Sequence, residues 1–139
     1  MAATETPKPT AADGAEALVA DLIAAGNVAK LGSNFLADPL RGEGRLVCVG
    51  KEAVQVYVQK DHEAALAVAS TIDKRDPTRV GTSIVTWNGT PRFWLRDRII
   101  VLYVGADAAT DSALRTLLGQ PFAESHEPGF QPLPSPECA

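Results

Sequence analysis

The segment TPRFWLRDRIIVLYVG, residues 90–105, predicts a β-hairpin that turns near Asp97. Side chains alternate between the two faces of a strand, so a two-residue loop at Arg96-Asp97 or at Asp97-Arg98 leaves the same residues on each face. One of these faces is wholly apolar, which is typical of a face that packs in a core. Its members are Phe93, Leu95, Ile100, Leu102 and Val104.

The opposite face of this hairpin interleaves arginine with aromatic and aliphatic side chains, and we call it the Arg/Trp face. Such a mixed face can be solvated, covered by a helix or used for binding. A three-residue loop would turn one strand over, so the assignment depends on the loop. The members of the Arg/Trp face are Arg92, Trp94, Arg96, Ile99, Val101 and Tyr103.

A second hairpin is predicted for residues 45–59. Apolar residues alternate on both sides of Gly50-Lys51, a pair suited to a tight turn. Residues 27–44 carry no clear pattern, and a short strand at 28–31 is one interpretation. The valines that share the core face of this hairpin are Val47, Val49, Val54, Val56 and Val58.

Apolar spacing and capping residues predict three helices, at about 14–25, 62–72 and 108–118, and a single strand at 83–87. The fold class is therefore α+β, with one domain over residues 13–123. We expect a mainly antiparallel sheet of about five strands, two hairpins plus one strand, with about three helices packed on one face. Residues 1–12 are predicted to be a disordered lead and residues 124–139 a disordered, proline-rich tail.

Composition excludes several classes of function. The net charge is −4 and the pI is about 5.1, so the chain lacks the broad positive field of a general nucleic-acid or anionic-membrane binder. No apolar run approaches the ~18 residues of a membrane span. We therefore do not expect nucleic acid among its partners. We also expect no segment that spans a membrane.

The chain lacks the residue constellations that catalysis needs. The two histidines, His62 and His126, are far apart and offer no metal-ligand spacing with the cysteines. We expect Cys48 to be a small buried hydrophobe and Cys138 to be exposed, with a disulfide between them disfavoured because it would tie a core strand to a flexible tail. The sequence predicts no enzyme, no cofactor, no metal site and no catalytic residue.

The Arg/Trp face is the best candidate for function, because arginine and aromatic residues dominate contact hot spots. We expect a non-enzymatic binding or accessory module that contacts another protein through this face. The alternative is a cytoplasmic single-stranded nucleic-acid or anion-binding protein that uses the same face. The candidate partner-binding residues are Arg92, Trp94, Arg96, Arg98, Tyr103 and Trp87.

Five short motifs follow one another between residues 15 and 123. They are VQVY (54–57), GT (81–82) with Trp87, TPRFW (90–94), RIIVLYVG (98–105) and LGQPFA (118–123). In this order they resemble an uncharacterised family of small bacterial proteins, often described as lipoprotein-like, that has no established activity. The chain departs from that pattern at Arg92, where histidine is expected, and at Asp97, where a turn glycine is expected.

The resemblance implies a cell-envelope or periplasmic setting, with an acylated cysteine, a flexible lead and then the folded domain. Residues 1–12 have the composition of such a lead, but they contain no lipobox cysteine. A lipid anchor therefore requires an export signal that the written sequence does not include. If the chain is complete as written, the expected location is the cytoplasm.

Overall fold

The computed structural model describes residues 14–37, 40–85, 87, 89–125 and 136–138 of the 139-residue chain. The predicted lead at 1–12 and most of the predicted tail at 124–139 lie outside the described residues. The helices are α1 (Ala15–Ala24), α2 (His62–Ala69) and α3 (Ala108–Leu118). The strands are β1 (Ala29–Phe35), β2 (Glu43–Val49), β3 (Glu52–Val58), β4 (Arg79–Val80), β5 (Ser83–Ile84), β6 (Arg92–Arg96), β7 (Ile99–Tyr103) and β8 (Ala123–Glu124).

Six of these strands form one antiparallel sheet in the order β1-β2-β3-β7-β6-β8. Both predicted hairpins are present, as β2–β3 and β6–β7, and the α+β class is confirmed. The β6–β7 register pairs Arg96 with Ile99, so the loop is the two residues Asp97-Arg98. Asp97 adopts a φ of 51°, the left-handed conformation in which glycine is favoured.

The predicted strand at 83–87 is shorter than expected and does not join the main sheet. Among the described residues of this segment, β5 is the strand that forms, and it pairs with β4 in a separate two-stranded hairpin. The sheet is completed by β1 and β8. β1 is longer than the predicted strand at 28–31, and β8 was not predicted because its two residues carry no pattern of their own.

The helices cover both faces of the sheet, so the expectation that they pack on one face is wrong. Helices α1 and α3 contribute Leu18, Leu22 and Leu114 to a core cluster with Val101 and other residues of one face. Helix α2 and the β4–β5 hairpin cover the other face, where their buried residues pack with neighbouring residues of β7. The reason is the uninterrupted apolar run of β7, because a strand that is apolar on both sides must be covered on both sides.

A disulfide joins Cys48 of β2 to Cys138, and both cysteines are buried. The expectation of an exposed Cys138 and no disulfide is therefore wrong. The local reason is that residues 136–138 dock against β1, where the Glu137 carboxylate accepts hydrogen bonds from the Ser33 N–H (2.5 Å) and the Ser33 hydroxyl (2.7 Å). Gly32 allows this approach, because a Cβ there would lie 2.7 Å from Glu137 Oε2.

Loss of the disulfide is expected to weaken the fold. The joined cysteines are 90 positions apart, so the bond restricts much of the unfolded chain, and we expect Cys48→Ser/Cys138→Ser to lower the free energy of unfolding by about 2 to 4 kcal/mol. Urea denaturation measures this change, and wild-type protein treated with a thiol reductant should show a similar loss. Coincident unfolding curves of the oxidised and reduced wild-type protein would contradict the structural role assigned to this bond.

Candidate functional site

The Arg/Trp face lies under helices α1 and α3. Trp94 and Tyr103 are each only 1% exposed and belong to the same cluster as Leu18 and Leu114. The Trp94 indole N–H donates to the backbone carbonyl of Gly119, at the end of α3, over 2.8 Å. Protein contact and nucleic-acid stacking through this face both need an exposed Trp94, so the expected contact surface is corrected to an internal packing face.

Arg92 also has internal partners. Its guanidinium lies 4.6 Å from the centre of the Tyr103 ring and donates to the backbone carbonyls of Tyr103 (3.4 Å) and Gly105. Its Nη1 lies 3.5 Å from Oδ1 of Asp111 on α3. Burial lowers the pKa of Arg92, while the negative charge of Asp111 opposes this shift. These contacts connect β6 to the start of α3.

Arg115 extends this connection to the end of the sheet. It donates to Asp111 Oδ2 over 2.9 Å and pairs with Glu124 of β8. The hydrogen bond that Arg115 donates to Glu124, followed by the one that it donates to Asp111, raises the pKa of Arg115. Arg115 was not among the predicted site residues, although its spacing of four from Asp111 on a predicted helix is a signal for an ion pair.

The remaining predicted site residues are held at separate places. Arg96 forms an ion pair with Asp21 of α1, and Arg98 donates to the Gln59 backbone carbonyl over 3.2 Å. Trp87 donates to the Pro77 carbonyl over 2.8 Å, and its ring meets Phe93 edge-on at 5.6 Å. Because Phe93 and Trp94 point to opposite faces of β6, Trp87 does not lie beside Trp94. The structure therefore does not bring the six candidates together as one surface.

The Tyr103 hydroxyl joins two elements at one end of the sheet. It donates to Glu52 Oε1 over 2.5 Å and accepts the Asp107 backbone N–H over 3.0 Å. Desolvation raises the pKa of Tyr103, and the hydrogen bond to Glu52 adds to this effect. The Asp107 carboxylate in turn caps α3 by accepting from the hydroxyl and the backbone N–H of Thr110, which lowers the pKa of Asp107. These groups organise the start of α3.

A groove between α2 and the β4–β5 hairpin is a further candidate site, and the sequence analysis did not predict it. Its volume is about 490 Å³, within the range of small binding sites. One wall is formed by α2, the other by the tip of the hairpin, and residues near the start of β2 and the end of β3 close the end. The lining residues are Arg41, Gln59, Ala64, Ala67, Val68, Thr71, Val80, Gly81, Thr82 and Ser83.

The walls of the groove are held by backbone contacts. The Gly81 N–H donates to the Thr71 carbonyl over 2.7 Å, and Val80 forms a bridge with Ile72 just after α2. The Asp73 carboxylate accepts two backbone N–H groups within its own loop, which lowers the pKa of Asp73. The hairpin is therefore fixed to the end of α2.

Gln59 and Arg41 form the polar end of the groove. Gln59 is buried, and its side-chain Nε2 donates to the Arg41 carbonyl over 2.5 Å. The Arg41 side chain is exposed and is the one charged group among the described lining residues. The signal available in the sequence was weak: Ala64 and Ala67 are small residues on a predicted helix, and residues 73–81 are rich in charged side chains.

Neither a metal centre nor a membrane helix is found in the described part of the chain. Within residues 14–37, 40–85, 87, 89–125 and 136–138, no group of three or more His, Cys, Asp or Glu side chains could hold a metal ion. No helix among these residues combines the length and the apolar character needed to cross a bilayer.

Comparison of the chain with models of protein families, with curated proteins and with solved structures finds no match.

The burial of Trp94 can be tested by substitution. Trp94→Ala is expected to lower the free energy of unfolding by about 3 to 5 kcal/mol, because it leaves a cavity under α3 and removes the donor of the Gly119 carbonyl. Chemical denaturation measures this loss. Trp87→Ala should cost less, because Trp87 is partly exposed.

Fluorescence gives an independent check. In a Trp87→Phe variant, Trp94 is the remaining tryptophan of the two in the chain. Its emission should resist quenching by acrylamide. Ready quenching would show that Trp94 reaches solvent and would restore the Arg/Trp face as a contact surface.

Proposed function

We propose that this protein is a non-enzymatic binding module that holds a short extended segment of another protein in the groove between α2 and the β4–β5 hairpin. The observation that supports this proposal is the groove of about 490 Å³ with small residues on its walls. The proposal keeps the expected class of function and moves the contact from the Arg/Trp face to the opposite face of the sheet.

The dimensions of the groove suit an extended peptide. Its wall on α2 runs from Ala64 to Val68, a rise of roughly 6 Å at the helical repeat, and Thr71 just beyond the helix extends it, so the wall matches about two to three extended residues. Ala64, Ala67 and Gly81 let a main chain approach closely. Side-chain hydroxyls of the hairpin, at Thr82 and Ser83, supply hydrogen-bond partners for a peptide backbone.

The charge of the groove favours an acidic segment. Arg41 is the charged group among the described lining residues, and its guanidinium can form paired hydrogen bonds with a carboxylate. A carboxylate on the bound segment near Arg41 would set its direction in the groove. The proposed partner is therefore a protein with an exposed, extended stretch that carries Asp, Glu or a chain terminus.

We also propose that the protein works in an oxidising compartment such as the bacterial cell envelope. The buried Cys48–Cys138 disulfide supports this location, because disulfides persist in oxidising compartments and are rare in the cytosol. The resemblance to lipoprotein-like proteins points in the same direction. Together they favour an accessory protein of the envelope over a cytoplasmic nucleic-acid binder.

The groove is tested with a library of short random peptides displayed on phage. Selection on the folded wild-type protein should enrich peptides with an acidic residue, whose synthetic forms bind in fluorescence anisotropy. Ala67→Trp fills the groove and should weaken this binding by about tenfold or more, a change of roughly 1.4 kcal/mol. Arg41→Glu should weaken it because it reverses the charge that faces the peptide carboxylate.

Leu66→Trp is the matched control, because Leu66 is exposed on the same helix but does not line the groove. It should leave peptide affinity unchanged. Failure to enrich any peptide, or equal losses in Ala67→Trp and Leu66→Trp, would contradict binding in the groove.

The compartment is tested by the thiol state of the protein in its source cells. Cells are quenched with acid and fractionated, and free thiols are alkylated before the mass of the chain is measured. We expect the protein in the envelope fraction with neither Cys48 nor Cys138 alkylated, because both lie in the disulfide. Recovery from the cytoplasm with both cysteines alkylated would exclude the proposed location.

A further inference from the structure

The groove between α2 and the β4–β5 hairpin is bounded at both of its ends. At one end its two walls meet, because the Gly81 N–H donates to the Thr71 carbonyl over 2.7 Å. At the other end lie Arg41 and Gln59, and the Gln59 side chain donates to the Arg41 carbonyl over 2.5 Å. A segment that runs along the groove therefore meets the protein's own chain at each end.

Backbone packing closes the Arg41 end. A Cβ at Gly42 would lie 2.3 Å from the Val58 carbonyl oxygen, so this glycine lets the chain before β2 lie directly against the end of β3. Gln59 is buried at this junction, and its backbone N–H donates to the Arg98 carbonyl over 2.8 Å. The contact between the two segments leaves no passage for a bound chain between Gly42 and Val58.

The charge of the groove lies at this closed end. Arg41 is the one charged residue among the described lining residues, and it is exposed. The ion pairs found between described residues do not include Arg41. A guanidinium binds a carboxylate through paired hydrogen bonds. Since the wall along α2 matches only about two to three extended residues, a bound carboxylate near Arg41 lies where the path of the segment stops.

We propose that the groove takes the last residues of a partner protein, with the free C-terminal carboxylate at Arg41. A chain end needs no exit at the closed end, and it carries a carboxylate whatever its last side chain is. An internal Asp or Glu would require the bound chain to turn out of the groove at both ends within a few residues. This inference rests on the proposed function and specifies its partner as a protein with a free, extended C-terminus.

Two libraries of short random peptides test this assignment. In the first library each peptide is joined to its carrier through its N-terminus and keeps a free C-terminal carboxylate, and in the second it is joined through its C-terminus. Selection on the folded wild-type protein should enrich peptides from the first library. In fluorescence anisotropy, their synthetic free acids should bind about tenfold or more tightly than the matching C-terminal amides. Equal affinity of acid and amide overturns the inference.

The same selections separate this inference from the proposed function. Enrichment from the second library alone, with binding that is lost in Ala67→Trp, would show that the groove holds internal segments. The proposed function would then stand, and the assignment to a C-terminus would be wrong. Failure of both libraries to yield a binding peptide would overturn the proposed function and this inference together.

Substitution of Arg41 locates the bound carboxylate. Arg41→Gln removes the charge but keeps the backbone carbonyl that Gln59 binds, so this variant should bind the free acid and the amide with equal affinity. Lys60→Gln is the matched control, because Lys60 is exposed but does not line the groove, and it should keep the full preference for the acid. Circular dichroism confirms that both variants are folded. A preference for the acid that survives in Arg41→Gln, or that is lost equally in Lys60→Gln, overturns the placement of the carboxylate at Arg41.

Discussion

The burial of β7 on both faces is the constraint on which the rest of the structure depends. All five residues of this strand are buried, and they alternate between two core clusters. A sheet with such a strand near its centre is stable only when each face is covered, because about 25 cal/mol is gained for each Å² of apolar surface removed from water. Helices α1 and α3 cover one face, and α2 with the β4–β5 hairpin covers the other.

Polar groups of the covered face determine how the helices are attached. The Trp94 N–H and the Tyr103 hydroxyl are taken out of water and need partners, which the Gly119 carbonyl and the Glu52 carboxylate provide. Arginines at the rim add Arg96–Asp21 and Arg92–Asp111 across the same boundary. Arginine and aromatic residues are enriched wherever two surfaces meet, and here the two surfaces belong to one chain.

Covering both faces also determines which surfaces remain available. On the α2 face, the short helix and the β4–β5 hairpin leave a groove between them, because helix and hairpin are joined through Thr71 and Gly81 rather than packed along their full length. At the far end of the sheet, residues 136–138 reach β1 and β2 through Glu137 and Cys138. The groove and the docked residues 136–138 are thus separate consequences of how the sheet is covered.

The sequence by itself determined the local elements. Alternation predicted both hairpins, with the Gly50-Lys51 loop as observed and Asp97-Arg98 as one of two alternatives. Apolar spacing predicted the three helices. These signals act between near neighbours in the chain. Tertiary structure alone decided which face each helix covers, since an apolar helix stripe carries no information about the face it meets. It also decided the Cys48–Cys138 bond and the docking of Glu137 on Ser33, which join residues 90 and 104 positions apart. A pattern typical of an exposed contact became an internal one for the same reason: exposure depends on what the rest of the chain places over it.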